Sequence, residues 1–134
     1  MSKLSDPVRE MFDAANFATV TSLNDDGSPQ ASVVWAKTDG DDIVFSTVKG
    51  RRKSDNFARD PRTTIVVFDP ADPYRYVEVR GTVTLTDDPD GALIQEMSRK
   101  YRGEDWVEEN SQVERMIVRI VPGRVVYHGA VSSD

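Results

Sequence analysis

Residues 43–62 read IVFSTVKGRRKSDNFARDPR. The run opens as a strand, because Ile43, Val44 and Phe45 are apolar and favour extended backbone. It turns polar at Ser46 and Thr47, then passes Val48, Lys49 and Gly50 to reach Arg51, Arg52 and Lys53. A short helix follows through Asn56, Phe57 and Ala58. Asp60-Pro61 stops it, since the residue before a proline is pushed out of helical backbone. Four cations therefore fall within residues 49–53, beside two hydroxyls, where a strand hands over to a helix.

That combination points to a bound anion. A helix N-terminus leaves backbone N–H groups unpaired and carries partial positive charge. Phosphate suits such a place, and Arg, Lys, Ser and Thr side chains complete its coordination. Gly50 lets the backbone turn without a Cβ clash. A solvated basic loop is the plainer reading of the same residues. No GxxxxGK[ST] loop is present, so a P-loop is excluded.

Working outward, the N-terminal side reads as a helix and two hairpins. Ser5-Asp6-Pro7 starts a helix with Val8, Met11, Phe12 and Ala15 on one face. Residues 17–23 alternate as a first strand, and the turn cluster at residues 24–29 contains Asp26-Gly27, a hairpin signal. Residues 30–37 form the next strand. Asp39-Gly40 turns the chain into the strand at residues 42–47.

On the C-terminal side, residues 63–68 (TTIVVF) read as a strand buried on both faces. Residues 69–73 hold two prolines and read as a loop without internal pairing. Residues 74–86 form a long strand with a bulge or bend at Gly81. Asp87-Asp88-Pro89 caps a helix with Ile94, Met97 and Tyr101 on one face, and Gly103 ends it. The acidic residues 104–110 read as a short helix or loop. Residues 116–121 and 124–127 read as two closing strands separated by Pro122-Gly123. The pattern predicts a mainly β fold: an antiparallel barrel of six or seven strands with a few helices packed outside.

Composition narrows the function. The 134 residues suffice for one domain, 1–134, with its own core. Seventeen basic and twenty-three acidic residues give a net charge of −6, which disfavours nucleic acid as a partner. Cysteine is absent, so disulfides, thiolate metal sites and cysteine nucleophiles are excluded. A single histidine, His128, cannot build a histidine-rich metal centre. With no signal-peptide pattern and no apolar run of membrane length, the expectation is a soluble cytoplasmic protein without a membrane partner. No Ser/His/Asp arrangement supports hydrolase chemistry.

The order of features is similar to a known family. Phe45-Ser46-Thr47, Arg52-Lys53, residues 56–62 (NFARDPR) and residues 77–81 (VEVRG) together resemble the pyridoxamine 5′-phosphate oxidase-like flavin-binding split barrels. Within that family it looks more like the actinobacterial branch that depends on coenzyme F420. The resemblance covers residues 14–127. It implies a split β-barrel homodimer with two cofactor sites at the subunit interface. It implies that Arg52 and Lys53 hold the cofactor phosphate, with Ser46, Thr47 and Val48 along the ring and ribityl chain. It also places the strand holding Pro29, Gln30 and Ser32 beneath the ring. The helix carrying Asn56 belongs to the same expected site.

One departure bears on the cofactor. Pyridoxamine phosphate oxidases proper carry an arginine for the flavin phosphate on the strand after the first hairpin, and residues 30–35 (QASVVW) have none. Lys49 and Arg51 add cations that a phosphate-plus-polyglutamate tail could use. Both features favour coenzyme F420 over FMN. The implied function is hydride transfer from the reduced deazaflavin to a small electron-poor acceptor. An FMN-dependent oxidase and a non-catalytic flavin or deazaflavin carrier are the alternatives.

Other residues have plainer readings. Trp35 reads as barrel core, with packing near the cofactor as the other reading. Trp106, in an acidic segment, is open to a cofactor-covering or dimer-contact role. His128 and the Glu78–Arg80 pair read as structural or surface groups, and Asp87, Asp88 and Asp90 as helix capping rather than a Ca²⁺ loop.

Overall fold

The computed structural model describes residues 4–129. Along them run α1 (Asp6–Asp13), β1 (Phe17–Leu23), β2 (Pro29–Asp39) and β3 (Asp42–Val48). Then come α2 (Arg52–Arg59), β4 (Arg62–Asp69), β5 (Asp72–Asp87), α3 (Ala92–Arg102) and β6 (Arg115–His128). The strands close into a barrel in the order β1-β2-β3-β6-β5-β4, and every neighbouring pair is antiparallel. Three helices and six strands agree with the expected architecture. No helix among the described residues is long and apolar enough to cross a membrane.

The barrel interior follows from the period of two along each strand. Ala18 and Val20 of β1, Ile43 and Phe45 of β3, Ile65 and Val67 of β4, and Val77 and Val79 of β5 all point into one cluster. Helix α1 adds Val8, Met11 and Phe12 to it, and α2 adds Phe57. Burying each such side chain stabilises the fold by roughly 1.5–3 kcal/mol. Asp13 fixes α1 by accepting hydrogen bonds from the Thr38 backbone N–H (2.8 Å) and hydroxyl (2.9 Å).

A second, smaller cluster lies outside the barrel. Val44 of β3, Leu93 and Met97 of α3 form it, with Trp35, Tyr101 and Ile117 packed alongside. Asp88 caps α3 by accepting from the Ala92 and Leu93 N–H groups at 3.2 and 3.0 Å. Lys100 then ties α3 to the body, donating to the carbonyls of Phe12 (2.8 Å) and Ala36 (2.6 Å). The Tyr101 hydroxyl donates to Asn16 O at 2.6 Å and accepts from the Ala36 N–H at 3.0 Å.

Several local expectations are corrected. Helix α1 ends at Asp13, and Ala15 is exposed beyond it, because the Asn16 side chain takes the Met11 carbonyl and turns the chain into β1. Strand β4 is buried on one face only: Ile65 and Val67 are covered, while Phe68 is 48% exposed. The stretch 69–73 is a tight turn rather than an open loop. Asp69 pairs with Asp72, and their carboxylates accept the Ala71 and Tyr74 N–H groups. Residues 104–110, expected as a short helix or a loop, take the loop form.

The two closing strands are one. Strand β6 runs unbroken through Pro122-Gly123, because a bulge absorbs the proline: Arg80 pairs with Arg124 but Gly81 pairs with Pro122. Gly81 permits the close approach, since a Cβ there would run into the Val121 carbonyl oxygen. Gly81→Ala should therefore destabilise the protein by about 1–3 kcal/mol, read as a lowered urea midpoint at unchanged slope.

Lys100 gives a pH test. Burial is the first cause that pulls its ammonium down to about 8 from 10.5. Between those values the unfolded chain binds more protons, so this group's contribution to stability rises with pH across that window. Thermal melts from pH 7.5 to 10.5 should show that rise in the parent and a smaller one in Lys100→Met, which melts lower overall.

Candidate anion-binding groove

Strands β2, β3 and β6 each turn alternate residues away from the core, and α3 covers only part of that outer surface. What it leaves is a groove of about 670 Å³. Val33 and Trp35 of β2, Ser46 of β3, Ile94 and Met97 of α3, and Arg115 of β6 line it. Arg51 and Lys53 stand at the start of α2, and residues 106–110 supply the opposite wall. Apolar and aromatic side chains line the β2 and α3 side, and the rest of the lining mixes the cations Arg51, Lys53, Arg102 and Arg115 with Trp106 and the carboxylates Glu108 and Glu109.

The cations at this groove differ in whether they are paired. Arg102 meets Glu104 at 2.8 Å, and Arg115 holds Glu108 through two bonds of 3.0 Å. That pairing is the first cause holding the Glu108 carboxyl below its ordinary value. Lys53 is half-buried, and among the described residues its ammonium has no hydrogen bond or ion pair. Burial first, then the neighbouring charge of Arg51, pulls its ammonium below the usual lysine value. A desolvated cation beside another cation is electrostatically unfavourable until an anion joins them.

The Ser46 hydroxyl is likewise buried without a partner, and it lines the same groove. Buried hydroxyls are normally hydrogen-bonded, so this one has capacity left for a ligand. The Ser32 and Thr47 hydroxyls are also unpaired, but they fall on the strand faces that carry the core residues Val34 and Phe45.

The groove brings together three of the residues singled out in the sequence: Ser46, Arg51 and Lys53. The others lie elsewhere. Arg52 and Asn56 line a separate cleft of about 580 Å³ with Asn24, Asp25 and Arg59. Asn56 is buried there and donates to the Ser22 hydroxyl (3.0 Å) and to Asn24 Oδ1 (3.1 Å), locking α2 to the first hairpin. Gln30 accepts from the Ser22 hydroxyl at 3.0 Å, and Pro29 is exposed at the start of β2. Lys49 is exposed, 3.9 Å from Glu114. Val48 is buried, and its carbonyl accepts from the Ser54 hydroxyl at 3.1 Å.

The sequence favours a core position for Trp35 and leaves Trp106 open to a cofactor-covering role, and both line the groove as parts of an aromatic wall. Trp35 stands outside the barrel core, stacked on Tyr101 at 5.5 Å and edge-on to Trp106 at 6.2 Å. Its parity carried the signal, since Trp35 alternates with the core residues Val34 and Ala36. Arg115, Glu108 and Arg102 gave no signal in the sequence, because only the fold brings them to the groove. His128 is an exposed residue stacked on Tyr76 at 5.0 Å, away from the groove lining.

The arrangement suits a ligand with a planar apolar part and a phosphate-like end. Among the described residues no group of His, Cys, Asp and Glu could hold a metal ion. Comparison with solved structures gives the same fold many times over. An F420 reductase superposes with a TM-score of 0.81 at 28% identity, over 88% of this chain and 94% of the other. A conserved hypothetical protein from Mycobacterium tuberculosis follows at 0.76 and 21% identity, over 96% and 85%. A heme-binding protein from Mycobacterium smegmatis matches at 0.68 and 21%, over 92% of this chain and 54% of the other. None of the proteins with curated functions matches the sequence. The sequence model for pyridoxamine 5′-phosphate oxidase matches residues 4–129, and with the barrel and groove in place the chain belongs to that family.

Proposed function

We propose that the chain is a reductase that uses reduced coenzyme F420 to deliver a hydride to a small electron-poor acceptor. The observation that carries this reading is Lys53, a half-buried cation without a partner, beside Arg51 at the head of an aromatic-walled groove. Lys53 and Arg51 would hold the cofactor phosphate, and the Ser46 hydroxyl would add a hydrogen bond. Trp35, Val33 and Met97 would keep water from the ring. When bound, the deazaflavin supplies the hydride; the chain binds, orients and desolvates. The likeness to an F420 reductase at 28% identity supports the deazaflavin over FMN. So does β2, which offers the groove Val33 and Trp35 but no arginine.

The same reading makes the chain a homodimer. Phe17, Phe68, Tyr74 and Tyr127 of β1, β4, β5 and β6 are each 40–66% exposed. Such large apolar side chains outside a barrel favour association with a second copy. Light scattering at micromolar concentration checks this, and a monomer would count against it.

Titrating the apo-protein with coenzyme F420 and with FMN, followed by cofactor fluorescence, tests the assignment. Tighter FMN binding would favour an FMN-dependent enzyme. Binding of coenzyme F420 without turnover of quinones, nitroaromatics or enones would favour a carrier.

Lys53→Met should lose a charge-assisted contact of about 1.5–3 kcal/mol, which is roughly a tenfold to hundredfold drop in affinity. Arg52→Ala should cost much less, since Arg52 lies in the other cleft. The stability effect runs the other way. The folded Lys53 ammonium sits below 10.5, so its penalty is fully present at neutral pH and is relieved only as pH rises through the folded value. Apo Lys53→Met should thus melt no lower than the parent at pH 7. A sharply lowered melting temperature with unchanged affinity would make this stretch structural.

A further inference from the structure

The wall of the groove opposite β2 is not part of any helix or strand. Residues 103–114 leave α3 at Gly103 and return to the barrel at Arg115 without regular structure. The exposed Val107 shows how little apolar packing this segment has. Its first half is held to α3 through polar contacts: the Ser98 hydroxyl donates to Glu104 O (2.8 Å), Arg99 meets Asp105 (2.9 Å), and the Trp106 backbone N–H donates to Gln95 Oε1 (2.5 Å). Beyond Trp106 the fastening changes. Arg115 meets both carboxylate oxygens of Glu108 at 3.0 Å while its guanidinium lies 5.0 Å from the centre of the Trp106 ring.

The geometry points to Arg115 as a positioning residue: by gripping Glu108 and the Trp106 ring together, it latches residues 106–110 as a wall of the groove. Three features make the assignment specific. The Arg115 side chain is only 9% exposed against 30% for Glu108, so the cation is held by its surroundings while the carboxylate reaches it from the solvent side. The two parallel bonds fix orientation as well as distance, which a lysine could not do. The cation also lies over the indole, an attraction that grows as water is excluded. Trp106 in turn lies edge-on to Trp35 on β2, so the latch sets the distance between the groove's two aromatic walls.

The latch itself is a property of the apo-protein, and its effect on binding rests on the cofactor reading above. The sequence holds two tryptophans, so Trp35→Phe leaves Trp106 as a single reporter on the wall and keeps an aromatic ring against Tyr101. In that background, Glu108→Ala and Arg115→Met should shift Trp106 emission to the red and raise its quenching by acrylamide, with Arg115→Lys intermediate. With an intact Trp35, the same changes should weaken coenzyme F420 binding by roughly tenfold, because only the latched fraction is competent. Unchanged emission and quenching in both variants would overturn the latch. Should Arg115→Met fail to fold, Glu108→Ala decides alone, since that side chain sits at the solvent side. A released Trp106 in a protein that binds no flavin or deazaflavin would keep the latch and sink the cofactor reading. Normal coenzyme F420 binding with an unmoved Trp106 would do the reverse.

Discussion

A barrel strand has two faces, and closing the sheet puts only one of them inside. Here β1 meets β4, so no edge is left among the six strands, and Ala18, Ile43, Phe45, Ile65, Val77 and Val79 fill the centre. The alternate residues then stand outside and need other cover. Helix α3 provides it for Val44 and part of Trp35, but it is eleven residues long and cannot reach the end of β3. The uncovered part, from Val33 to Ser46, is the groove. The site is what the barrel's closure leaves over.

The same constraint explains how far the sequence could be read. Strand alternation, the turns at Asp26-Gly27 and Asp39-Gly40, and the bulge at Gly81 are local signals, and each appears in the fold. Prolines misled the reading twice. Pro122 was expected to end a strand, but the bulge around Gly123 lets β6 continue past it. Pro70 and Pro73 were expected to open a loop, yet Asx-type bonds from Asp69 and Asp72 make a tight turn. A proline removes one N–H, and whether that breaks a strand depends on a partner that the local sequence does not identify.

The site was legible only in part, for a related reason. A cluster of cations announces an anion, but Arg51 is the extended residue ahead of α2 while Arg52 and Lys53 are in its first turn, so no single period sets where each cation points. Arg51 and Lys53, two positions apart, line one cavity, while Arg52 between them lines another. The aromatic wall is assembled from β2, α3 and the segment after it, residues 35, 101 and 106, joined by ring contacts. Contacts between segments far apart in the chain carry no periodicity, so Arg115 and Glu108 could be found only once the fold had placed them.

Charge pairing separates the cations that hold the fold from the one that the proposed function assigns to a ligand. The chain is acidic, and most of its arginines find carboxylates: Arg62 with Asp60, Arg75 with Asp69, Arg119 with Asp39 and Asp42. With a surplus of carboxylates available, a half-buried lysine left unpaired is a cost to stability rather than an accident of supply. Exposed pairs contribute little, whereas a desolvated cation without a counter-ion works against the folded state. Lys53 bears that cost beside Arg51, where an incoming anion would reverse it for both. A paired Lys53 would make a more stable empty protein, but an anion would then have to displace its carboxylate before binding. On the proposed reading, the cost carried at Lys53 would be returned when an anion binds, at the groove where the unpartnered Ser46 hydroxyl also lies.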